Sequence, residues 1–197
     1  MSSTSAPFGF RASYHNSGQM RPKAYVITSA YAANIFSGDP VKLTDNGVIQ
    51  LGTSDGTRTG TTDGITLLGI FAGCRYLDAG GKPTISPFWP SGATGTEITA
   101  WVYDDPETLF DVQYTNPSAG TTVQTAVGEE CDWVVASPGG STSTGLSTTQ
   151  IGAIQATSGQ FQITGFGYEI TDSLTDAYVV VSVRINEHHY KAAVNSV

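Results

Sequence analysis

The chain has 197 residues, of which 39% are hydrophobic and only 13% charged, with a formal net charge of −8. That length suits a single domain with a small appendage and can bury a core without covalent staples. The acid excess argues against binding to phosphate backbones, and no apolar run reaches the length of a membrane span.

The charge is unevenly placed. Residues 1–38 hold Arg11, Arg21 and Lys23 and no acid, so residues 39–197 carry −11. With few charges, the polar surface is built from Ser, Thr, Asn, Gln and Gly, groups that cost less to desolvate against another subunit.

Residues 1–22 read as an extended arm. Met1 to Pro7 is small and polar, and Gly9, Gly18 and Pro22 discourage regular structure. Phe8, Phe10 and Tyr14 sit there beside Arg11. Flexible tails are poor in aromatics. Two readings follow: the stretch covers its own barrel, or its aromatic and basic side chains anchor it on a neighbour.

A β-rich body is expected over residues 23–190. Ala24-Tyr25-Val26-Ile27-Thr28 opens it as a strand. Val41-Lys42-Leu43, Asp45-Asn46-Gly47 and Val48-Ile49-Gln50-Leu51 form a hairpin signature. Gly52 to Gly64 reads as a loop. Ile65 to Tyr76 is a buried strand in which Gly69 and Gly73 suggest bulges or a sharp bend. Pro87-Phe88-Trp89-Pro90 is an irregular apolar edge. Ile98 to Tyr103 and Thr108 to Tyr114 are strands, the second alternating Phe110, Val112 and Tyr114 with Leu109, Asp111 and Gln113.

Residues 136–160 turn to Ser, Thr, Gly and Gln and read as a long loop, with a two-turn helix conceivable over 149–156. Strands resume at Phe161 to Thr164 and Tyr178 to Ile185, where Val179, Val181, Val183 and Ile185 share one face. Residues 191–197 form a tail. The fold class expected is all-β, a barrel-like or sandwich body preceded by an extended N-terminal arm.

Few side chains suggest chemistry. Cys74 and Cys131 read as small buried hydrophobes, with a disulfide left open by spacing alone. The start of the chain lacks a signal-peptide pattern, and Asn116-Pro117-Ser118 is closed to glycosylation by its proline. Synthesis and folding in a cytoplasm are therefore expected. Gly52-Thr53-Ser54-Asp55-Gly56 matches a nucleophile-elbow pattern, but no helix signal follows it.

His188 and His189 are adjacent, so an extended chain points them apart, and they read as solvated. Asp104, Asp105, Glu107 and Asp111, and again Glu129, Glu130 and Asp132, read as turn carboxylates before calcium ligands or glycosidase acids. No catalytic residue, metal or cofactor is expected.

Several segments together resemble the decoration, or cement, proteins of tailed bacteriophage heads. They are Gly9-Phe10-Arg11 with Ser17-Gly18 and Arg21-Pro22; Ile35 to Val41; Leu68 to Gly73; and Phe88-Trp89-Pro90 with Ala100 to Pro106. The resemblance implies a β-rich protein, often trimeric, on the outer capsid surface of the virion. Its partners would be the major capsid protein and further copies of itself, with no nucleic acid and no membrane. Phe8, Phe10, Arg11, Tyr14, Arg21 and Lys23 are the candidate capsid or subunit contacts. Removing residues 2–22 is then expected to leave the body folded and weaken attachment. The alternatives are a receptor- or glycan-binding module of a phage fibre or tail, stacking sugars on exposed Trp89, Trp101 or Tyr residues, and a hydrolase built on the acid clusters.

Overall fold

A computed structural model describes residues 4–53, 66–115, 123–155, 159–166 and 175–191. Its strands run, in chain order, β1 Arg11–Tyr14, β2 Lys23–Tyr25, β3 Ile35–Phe36, β4 Pro40–Leu43 and β5 Ile49–Leu51. Next come β6 Gly69–Asp78, β7 Pro83–Ser86, β8 Phe88–Trp89, β9 Gly95–Tyr103 and β10 Leu109–Thr115. Last are β11 Glu130–Gly140, β12 Ser147–Gln155, β13 Phe161–Phe166 and β14 Tyr178–Ile185. The fold is all-β and barrel-like. Among the described residues the one helical element is a single 3-10 turn at Val123–Ala126, and no helix is long and apolar enough to cross a membrane.

Strand pairing builds two rings. In the first the order is β2-β9-β6-β4-β5, with β7 flanking β6. A bridge from Ile27 to Ile49 then brings the two ends of that order together. In the second the order is β10-β12-β11-β13-β14, and β14 returns to β10 over six residue pairs, Phe110–Thr115 with Val183–Tyr178. Only Tyr114–Ile151 joins β10 to β12, so this ring is nearly, not fully, closed.

Alternation explains both interiors, because successive side chains on a strand face opposite ways. Val179, Val181, Val183 and Ile185 point into the second ring with Phe110, Val112, Tyr114, Phe161 and Ile163. Ile27, Ile35, Val41, Phe71, Trp89 and Val102 fill the first. The Asp45-Asn46-Gly47 turn closes the β4–β5 hairpin, with Gly47 at φ 74, a left-handed geometry that glycine adopts without strain. At Gly73, φ 130, the register of β6 against β9 slips, which is the expected bulge. Gly69 has a different reason: a Cβ there would fall on the Tyr103 carbonyl.

Four expectations need correcting. The expected long loop over 136–160 is not found where the structure describes it: β11 extends to Gly140 and β12 starts at Ser147, so 136–155 is a hairpin, and 149–155 is strand rather than helix. Small polar residues suit it because the hairpin tip packs tightly on the first ring. A Cβ at Gly140 would meet the Phe36 ring, and one at Gly145 would meet Pro87.

The arm is also partly body. Residues 11–14 pair with β10, and Phe10 is buried. Third, Trp89 is fully buried, edge-on to Tyr76 at 5.0 Å, and pairs with Ile35 across the β3–β8 ribbon, so it offers no stacking platform. Fourth, His188 is buried, because it bridges to Leu67 and its Nδ1 accepts the Tyr190 N–H at 3.1 Å. Burial pushes its pKa below the ordinary histidine value.

Cys74 lies in the first core and Cys131 in the second, both as free thiols. Burial raises both pKa values, that of Cys74 to about 12. The Gly-x-Ser-x-Gly pattern falls largely on residues 54–56, outside the described residues.

Candidate functional site

The strand period splits the six candidate contact residues. Phe10 turns inward and stacks on Phe161, ring centroids 4.4 Å apart and planes at 15°. It is 3% exposed, so the expectation that it contacts a partner fails. Arg11 turns outward, and its guanidinium carbon lies 4.3 Å from the centroid of the half-buried Phe8 ring. Tyr14, on the same short strand, is 55% exposed. These three line an open groove of about 620 Å³, floored by Asp111 and Ser182 and walled by Phe166.

The other two basic residues lie elsewhere. Arg21 is exposed, with no hydrogen bond or ion pair to a described residue. Lys23 sits at the seam between the rings, its Nζ 3.3 Å from Asp104 Oδ2 and 5.4 Å from the Tyr190 ring centroid. The Tyr25 hydroxyl donates to the same Asp104 oxygen at 2.6 Å. Burial, and then the bond to Asp104, hold the Tyr25 phenol far above its usual range, so it stays protonated. Lys23 is thus engaged within its own chain.

The groove has its own polar logic. Ser13 and Ser182 both donate to Asp111 Oδ1, at 3.0 and 2.6 Å. Arg11 forms no ion pair with a described residue. A guanidinium stacked on a ring keeps its in-plane N–H groups free to bind an acceptor from outside, and Asp111, its cross-strand neighbour, shares the groove. The sequence reading missed Asp111, Ser182 and Phe166 as neighbours of the arm. Asp111 had a usable signal, since it alternates with Phe110 and Val112 and so had to face outward.

The acid clusters serve local structure. Asp105 Oδ1 accepts the Glu107 N–H at 2.9 Å, closing the turn between the rings, and Asp105 Oδ2 lies 3.2 Å from His15 Nε2. Glu130 takes the Gly159 N–H at 2.8 Å and the Asn186 amide at 2.9 Å. Asp132 Oδ1 accepts the Gln160 N–H at 3.1 Å. Among the described residues no three His, Cys, Asp or Glu side chains gather as a metal site.

A second polar cluster is deeper. Asp39 is 3% exposed; its Oδ2 accepts the Phe36 N–H at 2.7 Å and its Oδ1 accepts the Ser147 hydroxyl at 2.5 Å. Ser147 Oγ lies 2.9 Å from Thr149 Oγ1, and Thr149 donates to the Gly38 carbonyl at 3.1 Å. No sequence signal distinguished Asp39 from an ordinary turn residue in Gly38-Asp39-Pro40.

No protein-family model matches the chain, and neither a curated protein nor a solved structure matches it.

Proposed function

We propose that the chain is a non-enzymatic structural protein of a phage particle, a decoration protein that binds the outer capsid surface and acts as a homotrimer. One observation carries the reading: β1 and the residues just before it present Arg11 and Tyr14, with the half-buried Phe8, as an aromatic and cationic patch, and Arg11 forms no ion pair with a described residue. Aromatic and Arg side chains dominate the energetics of protein interfaces. Rigid placement lowers the entropy cost of docking. Repetition around a symmetry axis multiplies modest contacts into avidity. The low share of charged residues fits a surface that is repeatedly desolvated.

The test is cosedimentation with phage heads that lack the protein. The double variant R11A/Y14A is expected to bind at least about tenfold more weakly, with thermal unfolding nearly unchanged, since neither side chain is in the core and no second carboxylate is placed opposite Asp111. Undiminished attachment would refute the groove as the contact.

A glycan-binding role in a fibre or tail keeps one supporting feature, Tyr14 beside Asp111 and its serine hydroxyls. Binding to arrayed glycans, lost in Y14A, would favour it over capsid attachment.

A further inference from the structure

The contact between the two rings is built around one buried carboxylate. Asp39 comes from the turn between β3 and β4, and Ser147 and Thr149 come from the start of β12 in the other ring. The N-terminal segment crosses the same point. Gly9 N–H donates to the Thr149 carbonyl at 3.2 Å and Phe10 N–H to the Gly38 carbonyl at 3.0 Å. A Cβ on Gly9 would lie 2.8 Å from Ser147 Cβ, so only glycine lets the segment pass this close. Two further bonds, Ser37 N–H to Gly145 O at 3.0 Å and Ser147 N–H to Ser37 O at 2.9 Å, complete the clasp.

Among the described residues no cation compensates Asp39. Its carboxylate partners are the Phe36 amide and the Ser147 hydroxyl, with Thr149 next in the chain, and Asn34, Leu51, Val135 and Gly139 line the same small cleft. Lys42, on β4, turns away to Thr53 at 3.2 Å. From β6 only the Phe71 amide reaches it, donating to the Asp39 carbonyl at 2.9 Å. No charged side chain among the described residues shifts its ionisation. Burial drives the pKa up to about 6, against the opposing hydrogen bonds from Ser147 and Phe36.

The hydroxyl chain accepts either protonation state without moving a heavy atom. With Asp39 ionised, Ser147 donates to it and Thr149 donates to Gly38 O. With Asp39 neutral, its own O–H donates to Ser147, Ser147 to Thr149, and Thr149 to Gly38 O. Either atom of the Ser147–Thr149 pair can be the donor. What changes is the cost of keeping the site dry. An ionised carboxylate regains hydration when the clasp opens, and a neutral one gains little.

We propose that Asp39 makes this clasp a proton-operated latch, tightest while the carboxyl is neutral and loosened once it ionises. The segment it holds leads directly into β1, so the latch also sets how firmly the groove strand is seated. The sign follows from linkage. A carboxyl raised from 3.8 to about 6 favours the closed form fully below pH 4, and that advantage is lost as pH rises to about 6. The latch stands on this junction alone and does not depend on what the groove binds.

Native-state hydrogen exchange on the full chain tests it, following the amides of Phe10, Ser37 and Ser147. After correction for intrinsic exchange, their protection is expected to fall on the order of 100-fold between pH 4 and pH 7. D39N, whose amide can accept from Phe36 and donate to Ser147 as the neutral acid does, is expected to abolish that fall. An equal fall in D39N would overturn the latch. Should D39N not fold, the carboxyl carbon resonance of Asp39 in the wild-type protein decides: a midpoint near 6 supports the latch, and one near 4 refutes it.

Discussion

Phe10→Ala is expected to lower the free energy of unfolding by about 3–5 kcal/mol, the usual loss for a buried phenylalanine truncated to alanine. The ring is almost fully buried and stacked on Phe161, and Leu67, Ile70 and the β14 valines share its core. Removing it forfeits both the apolar transfer and the filled volume. The neighbouring strands are held by ladders on both sides, so they cannot collapse into the space. The denaturation midpoint in guanidinium checks this, and a midpoint equal to wild type would remove Phe10 from the core. The same reasoning reverses the expectation for deleting residues 2–22. That deletion takes away Phe10 and the β1–β10 ladder, so it destabilises the second ring instead of merely trimming an arm. Attachment is therefore better probed at Arg11 and Tyr14.

Gly69→Ala is the second large effect. A Cβ at that position would collide with the Tyr103 carbonyl and lie 2.8 Å from Val102 Cγ1. Carbonyl and strand belong to β9, which pairs with β6 along its length, so relief requires moving backbone at the centre of the first ring. A cost of about 3 kcal/mol is expected, at the upper end of overpacking effects. Gly165→Ala on β13 is the control, because nothing lies within 4 Å of its Cβ. It is expected to change stability by less than about 1 kcal/mol. Thermal unfolding of the pair separates the two cases, and equal melting temperatures would contradict the close approach of β6 to β9.

How far the sequence reveals this fold depends on whether periodicity or packing decides each element. Strand β14 was legible because four β-branched residues alternate without a break. The β4–β5 hairpin was legible because Asp45-Asn46-Gly47 demands a tight turn. The hairpin at β11–β12 was not. Its Ser, Thr and Gly content mimics a loop, and the reason for Gly140 and Gly145 is a contact with Phe36 and Pro87, far away in sequence but adjacent in space. The division into two rings was equally hidden, since Asp104-Asp105-Pro106 reads as one turn among many.

At the candidate site the composition of the arm was informative and its direction was not. Aromatics beside Arg11 marked the segment as ordered, but which ring faces inward depends on a register fixed by β10. Phe8 and Arg11 stack on one another at the groove, whereas Phe10 went to the core. Lys23 is held by Asp104, a long-range partner that no local pattern announces. Asp39 was the least legible of all, because its burial arises only when β12 closes over the β3–β4 turn.

Cryo-electron microscopy of purified phage particles from the source of this chain tests the proposed adhesion of this two-ring body to the outside of a capsid most directly. Density for the two rings is expected on the outer shell, repeated about threefold positions, with the Phe8–Arg11–Tyr14 groove facing the capsid or a neighbouring copy. Particles without that density, or density confined to the tail, would contradict it.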